Sequence, residues 1–106
     1  MIILVWRTCV PIDEKTAART AELFATLSDP NRLRIIAALL EHAELNVGAL
    51  AACLGMSESA ISHQLRNLRQ MRIVRARKAG RQVYYAVDDD HIARLFQQGI
   101  DHIQHQ

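Results

Sequence analysis

The stretch NVGALAACLGMSESAISHQLRNLRQM, residues 46–71, reads as two short helices meeting at a tight turn. Asn46 can cap a first helix whose apolar positions are Val47, Leu50, Ala51 and Leu54. Gly55 can stop that helix in the left-handed conformation that glycine tolerates. Only Met56 separates this stop from Ser57, the cap of a second helix over 58 to about 71 that gathers Ile61, Leu65 and Leu68 on one face. Two helices joined by a short glycine-containing turn form a helix-turn-helix.

The flanks extend this unit in both directions. Downstream, residues 73–78 and 82–87 are β-prone runs around Ala79-Gly80-Arg81, which predicts a hairpin with a basic tip, a wing. Upstream, Asp13 caps a helix with the apolar stripe Ala17, Ala21, Phe24 and Ala25, ending near Leu27-Ser28. Asp29-Pro30 then opens a helix carrying Leu33, Ile36, Ala37 and Leu40, and a polar link over 41–45 leads to Asn46. A last helix, about 90–104, places Ile92, Leu95, Phe96, Gly99 and Ile103 on one stripe suited to packing on another helix. The expected fold is mainly α with a small β-hairpin wing, a homodimeric winged helix-turn-helix over 13–106 behind an N-terminal arm over 1–12.

At 106 residues, 50% hydrophobic and with four Gly and two Pro, the chain fits one small globular domain. A domain of this size buries only about two-thirds of its unfolded surface. Long amphipathic helices would therefore leave faces that call for a second copy, and a large substrate cleft is disfavoured. The opening Ile2-Ile3-Leu4-Val5-Trp6 is too short to span a bilayer, which takes about 20 residues, and no basic segment precedes it as in a signal peptide. It reads as a frayed arm or a strip packed on a dimer partner. Cys9 and Cys53 make neither a disulfide framework nor a metal knuckle, which suits a reducing cytoplasm and a soluble protein without a membrane partner.

The net charge of +2 conceals an asymmetry. Residues 59–87 hold seven bases (Arg66, Arg69, Arg72, Arg75, Arg77, Lys78, Arg81) and no acid, while the remainder is acidic and includes Asp88-Asp89-Asp90. That is an electrostatic footprint for a polyanion. A helix that reads DNA needs short polar side chains near its N-terminus for base edges, bases for phosphates and an apolar rear face. The segment that begins at Ser57 has all three: Ser59, Ser62, His63 and Gln64 are base-edge candidates, and Arg66, Arg69, Lys78 and Arg81 are phosphate candidates. Double-stranded DNA is the expected partner, with no small organic substrate.

The chain resembles the ArsR/SmtB metal-responsive winged-helix repressors of bacteria. The resemblance rests on Leu27-Ser28-Asp29-Pro30-Asn31-Arg32-Leu33-Arg34, Glu44-Leu45-Asn46-Val47-Gly48-Ala49-Leu50, Ser57-Glu58-Ser59-Ala60-Ile61-Ser62-His63-Gln64-Leu65-Arg66 and Gly80-Arg81-Gln82-Val83-Tyr84-Tyr85, and it covers about residues 16–105. It implies a homodimer that sits on an operator near a metal-resistance or efflux gene and leaves it when the inducing metal binds.

Three histidines, His91, His102 and His105, fall in the last sixteen residues, with Asp89 two positions before the first. Imidazole and carboxylate suit a tetrahedral zinc site, and the missing thiolate argues against soft ions. Eleven residues of helix separate His91 from His102, about 16 Å at the usual rise, although both lie within about 20° of one face. One ion cannot bridge them on a single helix. Two such helices paired antiparallel across a twofold axis would bring Asp89 and His91 of one chain to His102 and His105 of the other, twice. Asp88 and Asp90 are alternative carboxylates. The arrangement is similar, at Asp89, His91, His102 and His105, to the C-terminal-helix site of zinc and cobalt sensors in the family. The resemblance further implies that His102 hydrogen-bonds toward the recognition-helix end, near the Arg72 backbone.

The chain also departs from parts of the family. Where arsenic-, cadmium- and lead-responsive members carry a cysteine pair, this chain reads Leu45-Asn46-Val47-Gly48, and Asn46 stands where dual-site members keep one cysteine. The ligands that nickel-sensing relatives add from longer tails or an N-terminal histidine are not expected. Zn(II) is the leading cofactor, Co(II) the second and Ni(II) behind both. Cys53 is expected as a small buried hydrophobe. Rival readings are a cysteine-based redox sensor of the same fold using Cys9 and Cys53, and a metal-independent DNA-binding regulator. An enzyme is not expected: a metallohydrolase built on Asp89, His91 and His102 would lack a second general base and an open coordination position.

Overall fold

The structure, a computed structural model, describes residues 12–105. The expected arm, its apolar opening and Cys9 lie outside the described residues except for Ile12. Helix α1 (Glu14–Leu27) starts at Asp13, whose carboxylate accepts from the Thr16 N–H at 2.6 Å. Helix α2 (Pro30–His42) starts at Asp29, which accepts from the Arg32 N–H at 3.1 Å, with Pro30 at the first helical position where its missing N–H costs nothing. Asn46 caps α3 (Val47–Leu54) through the Ala49 N–H, and Ser57 caps α4 (Glu58–Gln70) through the Ala60 N–H. Between them Gly55 sits at φ +66° and sends its N–H to the Ala51 carbonyl. A side chain there would meet open space, so its cost would be conformational alone, about 1–2 kcal/mol.

The wing consists of β2 (Val74–Ala79) and β3 (Gln82–Val87), antiparallel with Ala79 opposite Gln82. Its two-residue turn has Gly80 at φ +62°, the left-handed first position that a type II′ hairpin turn reserves for glycine. The sequence reading misses one element. Leu45 and Asn46 form a two-residue strand, β1, which pairs with Tyr85 and Tyr84 on the other edge of β3, so the sheet order is β1-β3-β2. Helix α5 (Asp90–Gln104) follows the sheet directly, and Arg75 pins the junction by donating to the carbonyls of Val87 and Asp88 at 2.8 and 2.7 Å.

The core gathers Ile35, Ile36 and Leu39 of α2, Leu50 of α3, and Ile61, Leu65 and Leu68 of α4, closed by Ile73 and Val74 at the start of the sheet. The helix-turn-helix therefore buries the faces its sequence predicts. The two upstream helices do not. In α2 the buried residues are Ile35, Ile36, Ala38 and Leu39, whereas Ala37 is exposed and Leu33 and Leu40 are half-buried. This helix packs against α1, α3 and β3 at once, which buries a wider and rotated arc. In α1 the expected stripe of Ala17, Ala21, Phe24 and Ala25 is exposed, and Leu23 and Leu27 meet the core instead. Helix α5 likewise has no buried residue; Ile92 and Phe96 lean on the core, and Ile103 is 65% exposed.

Candidate DNA-reading surface and metal-ligand positions

Ser59, Ser62, His63, Arg66 and Arg69 share the exposed side of α4, opposite its buried Ile61, Leu65 and Leu68. A groove of about 460 Å³, lined by Ser62, Arg66, Arg69 and Tyr85 among others, runs between this helix and the sheet. Lys78 and Arg81 are exposed on the wing. Ser57 is exposed too, with its hydroxyl oxygen accepting the capping bond.

Two bases of the acid-free stretch are occupied within the chain. Arg77 makes a two-pronged ion pair with Glu44 and lies 5.1 Å from the Tyr84 ring centroid. The Arg77 guanidinium holds the Glu44 carboxyl below its ordinary value, and Glu44 in turn raises the Arg77 pKa. Arg75 is committed to the β3–α5 junction. The side chains of Arg66, Arg69, Arg72, Lys78 and Arg81 have no hydrogen-bonded or ion-paired partner among the described residues. All five are exposed.

Gln64 is placed differently from the other base-edge candidates. It is half-buried, and its Oε1 accepts from Arg32 Nε at 2.7 Å. Asn46 spends its side-chain carbonyl on the α3 cap and donates from Nδ2 to Gln82 at 3.1 Å. Cys53 is exposed, contrary to expectation. Helix α3 buries Leu50 and Ala51, and at about 100° per residue Cys53 falls off their shared face.

At the start of α5, Asp89 Oδ1 accepts from the Ile92 N–H at 3.1 Å and lies 3.6 Å from His91 Nδ1. The Ile92 N–H, with weaker help from His91, holds the Asp89 carboxyl below its ordinary value. This cap is complete at neutral pH and is lost as pH falls through that lowered value. At the far end, His102 and His105 are exposed, and His105 Nδ1 lies 2.6 Å from the Asp101 carbonyl; because that oxygen only accepts, Nδ1 carries the proton and Nε2 keeps its lone pair. No cluster of three potential ligands forms among the described residues of one chain. The four side chains nevertheless fit a borderline metal as two half-sites: three imidazoles and an ionised carboxylate, all exposed and none built into the core. A cleft of about 580 Å³ opens beside the first half-site, with Arg72 and Asp89 both in its lining.

A helix-turn-helix with an exposed polar second helix and a basic wing defines a winged-helix DNA-binding regulator. Comparison with known proteins narrows this class. Residues 29–76 match the family described as bacterial regulatory protein, arsR family. The chain is 49% identical over 88 residues to a transcriptional repressor SmtB homolog of Synechocystis, covering 83% of this chain and 66% of that protein. It thus spans just under two-thirds of that relative's length. It is 39% identical over 99 residues to the transcriptional regulator NmtR of Mycobacterium tuberculosis, covering 93% of this chain and 82% of that one. Among solved structures, the AntR antimony-specific transcriptional repressor superposes with a TM-score of 0.82 at 33% identity over 91% of this chain and 86% of its own. A homodimeric winged helix-turn-helix domain from Mycobacterium bovis superposes with a TM-score of 0.78 at 28% identity, covering 90% of each chain. The chain belongs to the arsR family of bacterial regulatory proteins. That places it among transcriptional regulators rather than enzymes, and no helix among the described residues is long and apolar enough to cross a membrane.

Proposed function

We propose that this protein is a cytoplasmic repressor that binds operator DNA as a homodimer and is weakened or released by Zn(II), with Co(II) as the second candidate. The observation that carries the metal reading is the pair of exposed half-sites, Asp89 with His91 at one end of α5 and His102 with His105 at the other. About 16 Å of helix separates them, so a complete site takes Asp89 and His91 from one chain with the partner's His102 and the partner's His105. A donor set of imidazole and carboxylate without thiolate favours zinc or cobalt over softer ions.

The dimer rests on surface left uncovered. Phe24 is 52% exposed beside the small residues Ala17, Ala21 and Ala25, and the far half of the α5 stripe, Gly99 and Ile103, is exposed as well.

A bound ion would supply a four-ligand cross-link between the two terminal helices. The residues of the chain then carry the effect. Arg75 ties the start of α5 to the wing, so a shift of α5 would reach the wing directly, and Arg72 at the end of α4 lines the same cleft as Asp89. In this reading Ser59, Ser62 and His63 meet base edges, with Arg66, Arg69, Lys78 and Arg81 on phosphates. The test is operator affinity, on a site selected from random duplex DNA, with and without zinc. Zinc is expected to weaken binding by roughly 5–150-fold, the usual span of allosteric coupling. Tight DNA binding that ignores zinc and cobalt would leave a metal-independent regulator instead.

A further inference from the structure

We propose that Gln64 and Arg32 form a positioning pair that sets the angle of α4 against the rest of the domain, and that Gln64 reads no base. The inference rests on α4 being the DNA-reading helix. Arg32 is tied at three points. Its N–H is held by the Asp29 cap, its Nη1 donates to the Thr26 carbonyl at 3.2 Å near the end of α1, and its Nε donates to Gln64 Oε1 at 2.7 Å. One guanidinium therefore joins the last turn of α1, the first turn of α2 and the middle of α4.

The helix phase agrees with this assignment. At about 100° per residue, Gln64 lies about 140–160° around α4 from Ser59, Ser62 and Arg66. Those three are exposed, whereas Gln64 is half-buried on the flank facing α2. A hydrogen bond from a charged donor is shorter and roughly twice as strong as a neutral one, so it can hold a rotational setting that apolar packing leaves soft. Ile61, Leu65 and Leu68 fix how deep α4 sits, and a contact on one flank fixes how far it rolls. The phosphate-facing bases Arg66 and Arg69 then keep their aim without Gln64 reaching the duplex.

The test uses the full chain and three variants, Gln64→Leu, Gln64→Glu and Arg32→Gln. In a ¹H–¹⁵N spectrum without DNA, the Arg32 Nε–H is expected to exchange slowly with water in the wild type and in Gln64→Glu, whose carboxylate still accepts, and quickly in Gln64→Leu. Because this readout needs no DNA, it tests the pair even if α4 reads nothing. On operator DNA, Gln64→Leu and Arg32→Gln should each lose about tenfold in affinity, equivalent to about 1.4 kcal/mol. The two together should lose little more, Gln64→Glu should restore most of the loss, and base preference and salt dependence should stay as in the wild type. Loss of discrimination at one base pair in Gln64→Leu alone would overturn the proposal in favour of base reading. A shallower salt dependence in Arg32→Gln would overturn it in favour of a phosphate contact. An Arg32 Nε–H that exchanges freely in the wild type would show that the pair does not form.

Discussion

Replacing His102 with glutamine is expected to leave operator binding by the metal-free protein unchanged, while the response to zinc disappears. The His102 side chain is exposed near the end of α5 and makes no hydrogen bond among the described residues, so the bond toward Arg72 that the resemblance implies is not formed within one chain. Its loss should therefore cost no more than the roughly 0.5 kcal/mol typical of surface changes. As a proposed ligand, however, it would supply one of four donors. Zinc affinity should fall by at least the roughly 10–100-fold that follows removal of an outer-shell partner. The response disappears if the ion bound without His102 no longer distinguishes the free from the DNA-bound dimer, because coupling is the ratio of those two affinities. Competition with a chelating indicator and a DNA-binding titration measure the two halves. Parallel loss of DNA binding in the metal-free variant would show that His102 serves the fold.

Phe24→Asp should dissociate the dimer while leaving each protomer folded. Phe24 is not among the residues packed on the core, so the substitution removes no intrachain support. At a twofold interface it acts twice. Burying a phenylalanine is worth about 1.5–3 kcal/mol, and a carboxylate left there without a partner adds a desolvation cost. The dimer dissociation constant should rise by more than about 100-fold, and operator affinity should fall with it because two linked reading heads become one. Sedimentation and far-ultraviolet circular dichroism separate this outcome from unfolding. A variant that remains dimeric would place the interface elsewhere.

The parts of this fold legible in the sequence are those fixed by neighbours in the chain. Asp13, Asp29, Asn46 and Ser57 each accept from an N–H three residues on, and Gly55 ends a helix through its own φ, so the cap pattern marks the helix starts directly. Contacts across longer separations were not legible. The strand at Leu45 and Asn46 has two residues and exists because β3 pairs with it some forty positions later. The bond between Arg32 and Gln64 and the ion pair between Glu44 and Arg77 likewise join residues about thirty apart. Periodicity gave α1 and α5 their apolar stripes without saying what covers them, because part of each stripe faces away from the chain's own core. The same separation governs the metal-ligand positions. Their spacing is plain in the sequence, yet the residues meet only if a second chain brings the other half.

A mixed dimer tests that central claim most directly. One chain carries Asp89→Asn and His91→Ala, asparagine being chosen because it also caps a helix; the other carries His102→Ala and His105→Ala. Each variant alone can form only half-sites. If the sites are shared between chains, the mixed dimer restores one complete set of four ligands, and competition titration should find one tightly held zinc per mixed dimer and none in either parent dimer. A mixed dimer without tight zinc, or a parent dimer that still holds it, would contradict the account.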